Sequence, residues 1–144
     1  MPTAEQKAQP CCCIHLRSAA RAVTGLYDAA IEASGLRITQ FATLKTLHRL
    51  GPTCLNDLAE AMRLDRTTLV RNLELLKKQG LVEENRRAGG KARLVRITGQ
   101  GEAKRREIEP LRDRAREKLH AALSEEERDT LHALLDKLQG LRED

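Results

Sequence analysis

The sequence predicts a mainly α-helical chain with one small β-hairpin, and three observations carry that expectation. Apolar residues recur at three- and four-residue spacing through most of the chain. Two short runs of β-type residues flank a basic loop containing Gly89-Gly90. The core must be aliphatic, because the 144 residues include one Phe, one Tyr and no Trp. Charged residues make up 33% of the chain and hydrophobic ones 40%, a soluble, helix-leaning composition.

Taken in order, residues 1–10 read as a loosely held polar tail. Over 13–33 the residues Leu16, Ala19, Ala20, Val23, Leu26, Tyr27, Ala30 and Ile31 keep helical spacing, and Ser34-Gly35 ends the helix. Thr39 can cap a second helix to about Leu50, with Phe41, Leu44, Leu47 and Leu50 inward. Gly51-Pro52 breaks it. Thr53 then caps a short helix over 54–62, and after a tight turn Asp65 caps another to about Gln79, with Leu69, Leu73 and Leu76 on one face. Residues 81–85 and 93–98 are the hairpin strands. Thr98 can cap a long, highly charged helix to about Leu123, which Pro110 should interrupt and bend. Ser124 and Glu127 form a capping box for a last helix to about Leu141, with Leu131, Leu134, Leu135 and Leu138 as its apolar stripe.

Composition narrows the function classes. No apolar run approaches the ~20 residues that span a bilayer. The polar N-terminus lacks the apolar region of a secretory signal, so a cytoplasmic location is expected. There is no nucleophile–base constellation, no phosphate-cradling glycine loop and no metal motif, so neither an enzyme nor a cofactor is expected. The net charge of +5 is unevenly spread: residues 63–96 hold ten Lys or Arg against four Asp or Glu. Such a patch is the electrostatic footprint for a polyanion.

A short helix, a tight turn, a second helix and a basic hairpin make a winged helix-turn-helix, whose second helix enters the major groove of double-stranded DNA. Asp65, Arg66, Thr67, Thr68, Arg71 and Asn72 are the candidate contacts on that helix. Arg can donate a bidentate pair to guanine or bind phosphate, Thr can touch phosphate or a thymine methyl, and Asn can pair with adenine. On the hairpin, Arg86, Arg87, Lys91 and Arg93 can lie against phosphates or enter the minor groove. The helices on either side carry more apolar residues than so small a module needs, including Leu111, Leu119, Leu123, Leu131, Leu134 and Leu138. A homodimer would use them and would set two reading helices about 34–36 Å apart on a palindromic site. The expected organisation is a tail (1–10), a dimerisation helix (11–35), the winged module (36–98) and C-terminal dimerisation helices (99–144). A different class of function is a helical protein-interaction module whose basic patch meets an acidic partner.

Over residues 12–142 the chain resembles the MarR family, in the stretches LRITQFATLKTLHRLGP, LNDLAEAMRLDRTTLVRNLELLKKQGLVE and ARLVRITGQGEAKR. The resemblance implies a six-helix winged helix-turn-helix dimer that represses transcription and is released by a small phenolic or other lipophilic ligand, or by oxidation. It carries DNA contact onto Asp65, Arg66, Thr67, Thr68, Arg71 and the wing. In the family's wing an Asp-x-Arg is common; those positions here are Gly89 and Lys91, and Lys lacks the planar fork of Arg. A ligand pocket is expected between the dimer helices and the reading lobe, lined by Leu16, Ala20, Phe41, Leu44 and Leu47.

The four cysteines comprise Cys11, Cys12, Cys13 and the separate Cys54. Adjacent cysteines pair only with strain, no CxxC spacing is present, and no metal site is expected. The segment CIHLRSAARAVTGLYD resembles the start of the organic-hydroperoxide-sensing branch of the family. That resemblance puts Cys13 in the reactive position and Tyr27 in the position of the Tyr that holds its thiolate. Arg17 falls where that branch has a second Tyr. A thiol at a helix N-terminus has a lowered pKa and oxidises readily, so a redox switch through residues 11–13 is the alternative mode of control.

Overall fold

The computed structural model describes residues 9–86 and 93–142. Among them, six α-helices surround a three-stranded antiparallel sheet. Helix α1 (Cys12–Ile31) runs into a 3₁₀ turn (Glu32–Ser34), which Gly35 closes at a φ of 77°. Helix α2 (Ile38–Leu50), strand β1 (Thr53–Cys54), α3 (Leu55–Met62) and α4 (Arg66–Lys78) follow. Strands β2 (Val82–Arg86) and β3 (Arg93–Ile97) form the hairpin, and α5 (Gly99–Ala122) and α6 (Glu125–Gln139) end the chain. No described helix is long and apolar enough to cross a membrane.

Three local expectations are corrected. Helix α2 starts before Thr39: Gln40 Oε1 accepts the Arg37 N–H at 3.0 Å, and Asp28 of α1 accepts the Ile38 N–H at 2.7 Å. A carboxylate from a neighbouring helix thus caps α2, a partner that local sequence cannot reveal. Thr53 does not cap α3, because its hydroxyl donates to the Gly51 carbonyl at 2.7 Å and its backbone pairs with Val95. That pairing makes β1, so the wing has three strands in the order β1-β3-β2 rather than two. Pro110 does not interrupt α5. It lies exposed, where water can satisfy the carbonyl left without a donor.

The core lies in the reading lobe. Phe41, Leu44, Leu47, Leu58, Leu69, Leu76 and Val95 are buried together with Ile31 of α1 and Ile108 of α5. Ala115 is also buried, whereas α6 buries no residue. The seat of α5 is tight. The Thr98 hydroxyl accepts the Gly101 N–H at 3.0 Å and donates to the Gly80 carbonyl at 2.6 Å, while the Thr98 N–H meets Leu81 O at 3.0 Å. A Cβ on Gly101 would stand 2.1 Å from that same Leu81 oxygen and 2.6 Å from Ile97 Cγ1.

A charged lattice locks α5 to α2. Lys45 meets Glu109 at 3.2 Å and His48 meets Glu102 at 2.8 Å. Arg105 bridges Glu102 and Glu109, each at 3.0 Å, and the Arg112 guanidinium stands 5.5 Å from the Phe41 ring centroid. The bond from His48 holds the Glu102 carboxyl below its ordinary pKa of 4.5, with Arg105 adding to the effect. Burial raises that of Glu109, but Lys45, Arg112 and Arg105 outweigh it and hold the carboxyl low.

Two outcomes follow. Gly101→Ala should lower stability to urea by about 1–3 kcal/mol, the usual cost of overpacking, because the blocking atom is backbone; an unchanged midpoint would contradict this seat. Carboxyls with depressed pKa values stabilise the fold above their unfolded pKa, and that contribution disappears as pH falls through the folded value. Urea titrations between roughly pH 3 and 6 should therefore show stability falling with acid, and Glu109→Gln should flatten that fall.

Candidate nucleic-acid interface

The interface is built on α4. Asp65 caps it, accepting the Thr68 N–H at 3.0 Å and the Thr68 hydroxyl at 2.6 Å. These bonds, the hydroxyl's first, hold the Asp65 carboxyl below its usual range. Leu69, Leu73 and Leu76 face the core and fix the helix in rotation, which leaves Arg66, Thr67 and Arg71 exposed. Asp65 and Thr68 are exposed too, but they engage each other.

Asn72 departs from the expected set. It is half-buried, and its amide nitrogen is enclosed without a hydrogen-bond partner. On a helix that advances 100° per residue, Asn72 falls beside the buried stripe and not with Thr67 and Arg71.

Charge pairing thins the basic patch selectively. Lys77 is bonded to Glu84, and Arg96 to Glu83. Arg63 stands at the turn between α3 and α4 with a φ of 54° and reaches Asp136 of α6 at 2.8 Å. Among the described residues no carboxylate pairs with Arg66, Arg71, Lys78 or Arg93. Arg93 is exposed at the start of β3, in register with Arg86 of β2. Arg87, Lys91 and the Gly89-Gly90 tip lie outside the described residues. Sequence reasoning missed the tie from Arg63 to Asp136, which spans 73 positions and has no local signal.

The five residues expected to line a ligand pocket do not share a surface. Phe41, Leu44 and Leu47 fill the core, while Leu16 and Ala20 are exposed on α1. Leu16 instead lines a cleft of about 310 Å³ between α1 and α6, with Cys12, His15, Ala19, Leu131 and Leu135 among its other walls. The reason is that the inner face of α2 packs into the lobe core, while α1 is exposed from Cys12 to Gly25.

Cys11, Cys12 and Cys13 are all exposed free thiols, and Cys54 is half-buried. Cys11 occupies the N-cap of α1 and Cys13 lies one residue inside the helix. Backbone N–H groups of Ile14 and then Cys13 lower the pKa of the Cys11 thiol. The N-cap thiol of α1 is thus that of Cys11, two residues before the Cys13 position expected. Tyr27 stands 14 residues from Cys13 on the same helix, about 21 Å at 1.5 Å per residue. It cannot touch the thiol of its own chain. Among the described residues no cluster of His, Cys, Asp or Glu could hold a metal ion.

Known proteins share this arrangement. The MarR family model matches residues 36–89, which span α2, α3, α4 and the first strand of the hairpin. The regulator MosR of M. tuberculosis, solved in complex with DNA, is 30% identical over 92% of this chain and 99% of its own, with a TM-score of 0.81. A probable transcriptional regulator from Pseudomonas aeruginosa is 29% identical over 88% of this chain and 96% of its own, with a TM-score of 0.79. PcaV of Streptomyces coelicolor shares the fold at 21% identity, covering 99% of this chain and 100% of its own with a TM-score of 0.84. The match to MosR along nearly the whole length, with the family model on the reading module, shows that the chain belongs to the MarR family and is a transcriptional regulator rather than an enzyme.

Proposed function

We propose that this regulator is a repressor that binds a palindromic operator in double-stranded DNA as a homodimer and leaves it when a small lipophilic or phenolic ligand, or an oxidant, changes the spacing of its two α4 helices. The observation that carries the reading is the outward face of α4, where Arg66, Thr67 and Arg71 stand exposed on a helix held by three buried leucines. Arg guanidinium groups without carboxylate partners are available to guanine edges and phosphates. Dimerisation is supported by the apolar residues that one chain leaves uncovered. Ile14, Leu16 and Val23 on α1 and Leu131, Leu134 and Leu138 on α6 are all at least 39% exposed, and such a surface marks an association site. MosR, the relative at 30% identity, was solved with DNA. Release would require the ligand to favour one helix spacing over the other, with a coupling of ~1–3 kcal/mol.

Selection of bound duplexes from a random pool tests this. The expected product is a palindrome with half-sites about one turn apart, some 34–36 Å. Arg71→Ala should weaken binding to it by ~1–3 kcal/mol while leaving the fold intact. A pool that yields no preferred sequence would refute the proposal.

Oxidation as the releasing event is the second reading, favoured by the exposed Cys11 thiol with its lowered pKa. Peroxide should then abolish operator binding, and replacing Cys11, Cys12 and Cys13 by Ser should restore it. Equal peroxide sensitivity in the Ser variant would exclude these thiols.

A further inference from the structure

The proposed DNA reading by α4 leaves one residue of its outward side unexplained. Val70 is 36% exposed, one turn after Arg66 and one turn before Glu74, and adjacent to Arg71. The core does not call for it, because Leu69, Leu73 and Leu76 already supply the buried stripe. A β-branched residue is also a weaker helix former than the straight-chain alternatives that would suit a solvated position. Single exposed apolar residues are common on protein surfaces; the location of this one is what gives it meaning. It lies in the first two turns of α4, the part of a reading helix that reaches base edges. Leu75, also exposed, lies a turn further on, beyond that reach.

Several polar neighbours are already engaged or turned away. Both Asp65 oxygens hold Thr68, the Thr68 hydroxyl donates to Asp65, and the Asn72 amide nitrogen is enclosed. The outward residues of residues 66–74 are then Arg66, Thr67, Val70, Arg71 and Glu74. Val70 alone among these has no hydrogen-bonding side chain. The major-groove edge offers one apolar feature, the C5-methyl group of thymine, which distinguishes thymine from cytosine without a hydrogen bond. Resting on the DNA-reading role of α4, we infer that Val70 is a specificity-determining residue that packs against a thymine methyl group in each half-site.

The test uses the full chain and the duplex selected from the random pool, with each thymine replaced singly by deoxyuridine. This substitution removes one methyl group and leaves every hydrogen-bonding group in place. At one thymine per half-site, wild-type affinity should drop about fourfold, the worth of one buried methyl-sized group. Val70→Ala should bind the thymine duplex correspondingly less well and show no further loss with deoxyuridine. Arg66→Ala should bind less well yet keep the thymine preference. Equal wild-type binding to thymine and deoxyuridine at every position would overturn the inference, and so would an undiminished preference in Val70→Ala. If no duplex is preferred over random DNA, the DNA-reading role fails and this inference with it. That outcome is distinguishable, because Arg71→Ala would then also bind like wild type.

Discussion

The close approach of α5 to the wing is the constraint on which the other arrangements depend. Gly101 lies against the Leu81 carbonyl, and Thr98 bonds both to Gly101 and to the backbone at Gly80 and Leu81. The start of α5 is therefore tied to the Gly80–Leu81 segment that joins α4 to β2. Because Ile108 of α5 enters the core shared by α2, α3 and α4, the direction of the long helix is set by the reading lobe. Ion pairs from Lys45 and His48 repeat that restraint further along α5. Each exposed pair contributes little alone, but the pairs share Glu102, Glu109 and Arg105 and so form a network.

From that seat the apolar side chains divide into two populations. The leucine stripes of α2, α3 and α4 and Val82 and Val95 of the sheet close on one another and are buried. Among the described residues, those of α6 and the outer part of α1 find little cover, and the cleft between these helices is lined by apolar side chains from both. Apolar surface of this extent has an unfavourable hydration free energy that burial relieves. This uncovered surface is what supports the proposed dimer contact, and α6 also meets the turn before α4 where Arg63 pairs with Asp136.

Electrostatics sharpens the picture of α4. A count of basic residues over 63–96 overstates the charge available to a polyanion, because Arg63, Lys77 and Arg96 each meet a carboxylate. Within that stretch, the described basic residues without a carboxylate partner include Arg66, Arg71 and Lys78 of α4 and Arg93 at the loop end of β3. Asp65, acidic and at the head of a basic helix, acts on the helix itself by satisfying an N-terminal N–H group.

By itself the sequence determined the helices, because each has an apolar stripe of helical period and three of the six begin at a local side-chain cap. Asp65, Thr98 and Ser124 needed no distant partner to begin α4, α5 and α6. The leucine stripe of α4 likewise determined that Arg66, Thr67 and Arg71 face outward. Tertiary structure decided whatever depends on residues far apart in the chain. Asp28 caps α2, Thr53 joins a third strand, Asn72 is enclosed, and Leu16 parts from Phe41, Leu44 and Leu47. The physical reason is the same in each case: a cap, a strand pair or a cavity wall needs a partner from another element, and only packing brings that partner within reach.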